Sequence, residues 1–200
     1  MTERIPAFLR RIPGGEATEA VVVSGLTLSE VASAQNAWLT FLRGAIQDAF
    51  NLPEHKHWDW MRKARYARYR SEYRLYGIEC DGQMQGLMLV SVSKRCRLPI
   101  QADEPLVYVD YLSTAPWNLR NLTATPRFAG VGRTLLFSAI MQSRTLGFEG
   151  RVGLHSLPQA EVFYTQTCGM TDTGDDAAEY GLRYFEMTTA QADEFTRKGQ

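Results

Sequence analysis

Seven consecutive residues, Arg127-Phe128-Ala129-Gly130-Val131-Gly132-Arg133, carry the clearest chemistry in the sequence. They lie between a strand-like run, Leu106 to Ser113, and a helix-like run, Thr134 to Leu146. Glycines at alternate positions let the backbone turn sharply and come close to a ligand. The helix that follows aims its unsatisfied N–H groups and positive dipole end at the same place. An anion is the ligand such a cradle suits, and bidentate contacts from Arg127 and Arg133 would add to the backbone bonds. Two common phosphate motifs fail. A P-loop would need glycine where Arg127 stands and lysine where Arg133 stands. The dinucleotide fingerprint would need glycine at Leu135 and an earlier βαβ unit.

What remains, Arg-x-x-Gly-x-Gly after a strand and before a helix, resembles the pyrophosphate-binding motif of the GNAT superfamily of acyl-CoA-dependent N-acyltransferases. The flanks are similar too. Leu112-Ser113-Thr114-Ala115-Pro116 looks like the end of the family's fourth strand. Ala160-Glu161-Val162-Phe163-Tyr164, followed by Gly169-Met170, looks like its fourth helix and turn. The resemblance covers roughly Tyr73 to Met187 and departs from the family in three places. Trp117 to Pro126 are inserted before the cradle, where they are expected to shape the acceptor side. Tyrosine to glycine is one residue longer than usual, and Leu157 replaces a common asparagine.

The resemblance implies acetyl-CoA as acyl donor and direct attack by a primary amine on a small molecule, a peptide or a lysine side chain. Leu112, Ser113 and Thr114 would hydrogen-bond the pantetheine arm, and Arg127, Phe128, Ala129, Gly130, Val131, Gly132, Arg133 and Thr134 would hold the diphosphate. Tyr164 takes the position of the acid that protonates the leaving thiolate, and Asp110 that of the base that deprotonates the amine. No metal is implied. Independently of any family, Asp110 is a carboxylate within the apolar run Val107 to Leu112, costly to bury without a partner or a purpose. A buried ion pair with an arginine explains it equally well. Glu79 and His155 are the other candidate bases.

The acceptor is harder to read. His57-Trp58-Asp59-Trp60 places two indoles beside an acid, as a pocket for a cationic amine requires, although both tryptophans also suit a core. Trp58, Trp60, Glu79 and Tyr111 are taken as candidate substrate contacts. Arg62 to Arg70 interleave basic and aromatic residues, which fits a solvated helix face and also fits tRNA. A toxin-like enzyme acting on aminoacyl-tRNA and a CoA-binding sensor without turnover are the alternatives to a small-amine acetyltransferase. A homodimer is compatible with all three.

The elements that must position these residues are largely local. Thr27-Leu28-Ser29-Glu30 is a capping box, and apolar residues from Val31 through Leu42 to Ala49 recur at helical spacing out to about Phe50. A second helix is expected from Trp58 to Tyr69. Tyr73 to Cys80 and Gln83 to Ser93 flank Asp81-Gly82, the signature of a two-residue hairpin. Val21-Val22-Val23 reads as a first strand, Arg151 to His155 and Leu182 to Thr188 as later ones. Gly147 reads as a helix C-cap and Pro158 as a helix start. The order β-α-α-β-β-β-α-β-α-β agrees with an α+β GNAT fold: a mixed, mostly antiparallel central sheet flanked by helices, splayed between the fourth and fifth strands.

Two hundred residues suit one domain, residues 1–200. Lys and Arg number 22 and so do Asp and Glu, a balance that disfavours a general polyanion binder. No apolar run approaches the roughly 20 residues of a membrane span, and the first residues lack a signal-peptide core, so a cytoplasmic protein is expected. Cys80, Cys96 and Cys168, without a CxxC pair, suggest buried apolar side chains rather than a disulfide framework or a zinc site.

Overall fold

The computed structural model describes residues 2–45 and 53–198. The chain forms two compact units, Met1–Leu89 with Tyr111–Leu135, and Val90–Asp110 with Leu136–Gln200.

The first unit opens with an antiparallel pair, β1 (Glu3–Arg11) and β2 (Ala17–Ser24), so the valine run lies in the second strand. Then α1 (Leu28–Ala45) starts from the expected box. Glu30 N–H donates to Thr27 Oγ1 at 3.2 Å, and the Thr27 amide donates to the Glu30 carboxylate at 2.8 Å. The continuation of this helix to Ala49 and Phe50 lies outside the described residues. Next, α2 (Trp60–Arg68) is capped by Asp59, whose side chain accepts from the Arg62 amide. The hairpin is β3 (Tyr73–Cys80) and β4 (Gln83–Ser91), with Asp81 and Gly82 at φ 51° and 68° as a type I′ turn requires. The tail of β5 (Val107–Thr114) and the two-residue β6 (Phe128–Ala129) complete the unit, whose strand order is β6-β1-β2-β3-β4-β5. Its core gathers Val31, Trp38, Trp60, Leu75, Leu87 and Trp117. Burying one such large apolar side chain contributes about 1.5–3 kcal/mol.

In the second unit, β5 lies beside β7 (Val152–Ser156), then β9 (Leu182–Met187), then β8 (Thr171–Asp176). The pairing of β5 with β7 is parallel, whereas that of β7 with β9 and of β8 with β9 is antiparallel. The helix α3 (Val131–Thr145) ends in a Schellman motif at Gly147, where Phe148 N–H bonds Ser143 O and Gly147 N–H bonds Arg144 O. A final helix, α4 (Thr189–Arg197), is started by a capping box between Thr188 and Gln191. The expected helix after Pro158 is broken into a 3-10 turn, Pro158–Ala160, and a π-helix, Phe163–Thr167. The π-helix inserts one residue between Tyr164 and Gly169, and so absorbs the longer tyrosine-to-glycine spacing. All three cysteines are buried and none forms a disulfide. Among the described residues, no helix is long and apolar enough to cross a membrane.

Candidate functional site

In the first unit the cradle is built by two constraints. Before it, β6 is pinned to β1 by the pairs Arg11↔Phe128 and Arg10↔Ala129, and the Ile12 amide donates to Arg127 O at 2.9 Å. At its turn, Gly130 takes φ 92°, a conformation that disfavours a side chain. The Gly130 carbonyl accepts the first helical bond, from Thr134 N–H at 2.9 Å, so the first turn of α3 begins there. Helix geometry offers the amides of Val131 and Gly132 no acceptor inside α3, which makes them donors for an anion. A close approach sets their position. A Cβ added at Gly86 of β4 would lie 2.6 Å from Val131 Cγ1 and 2.9 Å from Leu135 Cδ1, so α3 packs on β4 only because position 86 has no side chain.

The inserted segment supports the cradle. Gln85, 1% exposed, accepts at Oε1 from Trp117 Nε1 at 2.8 Å and from Asn118 Nδ2 at 3.1 Å, while its own Nε2 donates to Cys80 O. Asn118 Oδ1 in turn accepts from the Phe128 amide at 3.0 Å, and Trp117 O accepts from the Arg127 amide. The Phe128 amide, expected to face the diphosphate, is thus engaged within the protein. The Arg127 guanidinium lies 4.8 Å from the Trp117 ring centre and donates to Gln83 Oε1 at 2.8 Å. Gln85→Leu should lower stability by about 3 kcal/mol, since buried partners lose their bonds together; chemical denaturation checks this.

Beside the cradle, β5 changes company. Its pairing with β7 runs only from Val107↔Val152 to Val109↔Leu154, while the strand continues to Thr114. Leu112, Ser113 and Thr114 therefore lie on backbone that continues beyond the β7 register. The Ser113 hydroxyl accepts from Trp60 Nε1 at 3.0 Å, which makes Trp60, 2% exposed, a core anchor of this strand end.

The aromatic group near α2 closes on the chain's own residues. Trp58 stands edge-on to Tyr111 with ring centres 5.0 Å apart, and Lys63 Nζ sits 3.4 Å from the Tyr111 centroid. The cationic partner expected from an acceptor is supplied by Lys63. Asp59 caps α2, and the Arg62 amide holds its carboxyl below the usual range. A slot of about 40 Å³ between Trp38, His55, Trp58, Trp60 and Thr114 has room for a few waters. Glu79 is ion-paired with Arg4 at 2.6 Å and lines a separate groove with Pro6, Phe8 and Glu19. Two more basic residues of α2 and its end stack on aromatics, Arg70 on Tyr66 and Arg68 on Tyr69.

In the second unit, Tyr164 is buried in the π-helix, with ring centres 5.2 Å from Phe163 and 5.8 Å from Phe185. Burial pushes its phenol well above the ordinary range, with Cys168 adding a smaller push, so it stays protonated. Asp110 is half-buried, its Oδ2 shielded from solvent. His155, 4% exposed in its side chain, bridges Tyr108 and Asp176. Sequence reasoning missed Gln85, Asn118, Tyr108 and Asp176. Gln85 left a trace, a second amide near the start of an otherwise apolar strand, whereas Asp176 lay in an acidic stretch without any signal. Among the described residues, no group of three or more His, Cys, Asp or Glu could hold a metal ion.

No protein-family model matches the sequence, and no curated protein matches it either. Solved structures do match. The chain is similar to RimL, the ribosomal L7/L12 alpha-N-protein acetyltransferase, with a TM-score of 0.55 and 16% identity over 94% of each chain. A GNAT-family acetyltransferase from Desulfovibrio desulfuricans matches with a TM-score of 0.50 and 13% identity over 84% of this chain and 99% of its own. The chain has the GNAT fold. A bacterial toxin shares it, with a TM-score of 0.55 and 13% identity over 75% of this chain and 85% of its own. At such identities the likeness concerns the fold, and chemistry must be argued from side chains. In GNAT terms, β5 and β7 are the fourth and fifth strands of the resemblance, and the end of their pairing at Val109 is the expected splay.

Proposed function

We propose that this chain transfers an acetyl group from acetyl-CoA to a primary amine. The observation that carries the reading is the start of α3 at Gly130, next to a strand end, Leu112 to Thr114, that has run past its β7 partner. The donor set fits the ligand: amides at a helix N-terminus suit a diphosphate, and a strand edge suits an extended amide-bearing arm. Acetyl-CoA supplies the acyl group already activated as a thioester. The amides of Val131 and Gly132 would hold the diphosphate, with Arg127 and Arg133 adding charge. Backbone groups of Leu112 to Thr114 would hold the pantetheine arm, and an N–H there would take up the charge growing on the acyl oxygen. Tyr164 would donate a proton to the departing sulfur. Asp110, with Glu79 and His155 in reserve, would accept the proton from the amine; Glu79 is ion-paired with Arg4.

Thiol release from acetyl-CoA, measured with and without a panel of primary amines, tests this. Amine-dependent release is expected; binding of CoA without it would favour the sensor reading. Arg127→Glu should weaken CoA binding by about 10- to 100-fold in calorimetry, because a charge-assisted contact becomes a repulsive one. Undiminished affinity would remove Arg127 from the site. An aminoacyl-tRNA acceptor is the special case suggested by the basic residues of α2, and retention on tRNA that Arg65→Glu and Arg68→Glu abolish would support it.

A further inference from the structure

The second unit holds a chain of hydrogen bonds through His155, of which the transfer reading uses only the imidazole. Tyr108 Oη lies 2.6 Å from His155 Nδ1, and His155 Nε2 lies 3.0 Å from Asp176 Oδ2. Arg97 donates to the same carboxylate oxygen, and the Ala178 amide donates to Oδ1 at 2.9 Å. These contacts make Asp176 a fixed anion: Arg97 first, then the Ala178 amide and His155, lower its pKa to about 2. A fixed anion at Nε2 places the imidazole proton there and leaves Nδ1 as an acceptor for the Tyr108 hydroxyl. The tautomer is thereby dictated from outside, as for a general base.

The location within the strands matters as much. Tyr108 pairs with Gly153 one step before the last β5–β7 pair, and His155 is the first β7 residue beyond that pair. The chain thus crosses from β5 to β7 where their pairing ends. Asp110 lies two residues from Tyr108, on the same face of β5.

We propose that Tyr108, His155 and Asp176 form a proton relay for the acceptor amine, with Tyr108 as the group that touches it. This rests on the transfer reading above. In the step, an amine N–H bond breaks as a new O–H bond forms at Tyr108. The phenol's original proton moves to His155 Nδ1, and Asp176 holds the resulting imidazolium. The proton then leaves to solvent, so neither oxidant nor other reactant is needed. Tyr108 never ionises alone, in keeping with burial, foremost, and the charges of Asp110 and Glu179, which push its pKa up. The other groups around the relay are Lys94, 5.6 Å from the Tyr108 ring, and Tyr184, whose ring lies 5.0 Å from His155 and whose hydroxyl donates to Glu186.

The test uses the whole chain, acetyl-CoA, and spermidine, lysine methyl ester and a hexapeptide with a free N-terminus as acceptors. Tyr108→Phe should lower kcat about 100-fold, with calorimetric CoA affinity unchanged. Its pH–rate profile should differ from the wild type's and follow only the protonation of the amine itself. His155→Gln should behave alike, and Tyr108→Phe carries the test alone if that variant fails to fold. Unchanged kcat and pH profile in Tyr108→Phe would overturn the relay, as would an Asp110→Asn variant that alone produces the same loss of kcat and change of profile. A wild type that bound CoA yet released no thiol with any of these amines would fail the transfer reading first and take the relay with it.

Discussion

Replacing Tyr164 with phenylalanine is expected to reduce turnover at least 100-fold while CoA binding stays as it was. The variant deletes one hydroxyl and keeps the ring that packs against Phe163 and Phe185, so the fold should change little, by less than about 1 kcal/mol. The sign of the pKa shift sharpens the expectation. A phenol pushed upward by burial holds its proton through neutral and mildly alkaline solution, the state an acid needs, and adds no limb of its own to the pH profile there. Steady-state kinetics between about pH 6 and pH 9, with calorimetry for CoA, check both parts. Full activity in the variant would return Tyr164 to the rank of a core aromatic.

Gly86→Val is expected to impair CoA binding more than 10-fold without touching any ligand-facing group. The contacts at 2.6 and 2.9 Å are with Val131 and Leu135, on the turn whose amides would hold the diphosphate, and Ser113 O stands 3.2 Å away. Valine cannot be accommodated unless that turn lifts from β4, and overpacking of this kind costs about 1–3 kcal/mol. Thr188→Ala, which removes the cap of α4, is the control. It should cost about 1 kcal/mol of stability and leave CoA affinity unchanged. If both variants bound CoA alike, the first turn of α3 would not be the anion site.

The strands and helices legible in the sequence were those with local causes. Thr27 and Glu30 cap α1 through bonds three residues apart, and Asp81-Gly82 closes its hairpin by backbone preference alone. β1 was missed because only Leu9 in it is buried, so no alternation marks it as a strand. The acidic Thr171–Asp176 was missed because its three aspartates and Gly174 disfavour a strand. By contrast α4 carried a readable capping box at Thr188 and Gln191. The residues Trp58-Asp59-Trp60, which in sequence suit either an amine pocket or a core, serve three separate ends. Trp60 anchors Ser113, Asp59 caps α2, and Trp58 packs on Tyr111 beside Lys63.

By itself the sequence determined the strand, glycine turn and helix around Gly130, the hairpin, the start of α1 and the family of folds, since each depends on backbone preference or on contacts within a few residues. Only the tertiary structure decided that the insert braces the cradle through Gln85, and that Tyr108, His155 and Asp176 meet. The partners in that relay stand 47 and 21 residues apart, and no local spacing encodes a hydrogen bond made by strands brought together only when the sheet forms.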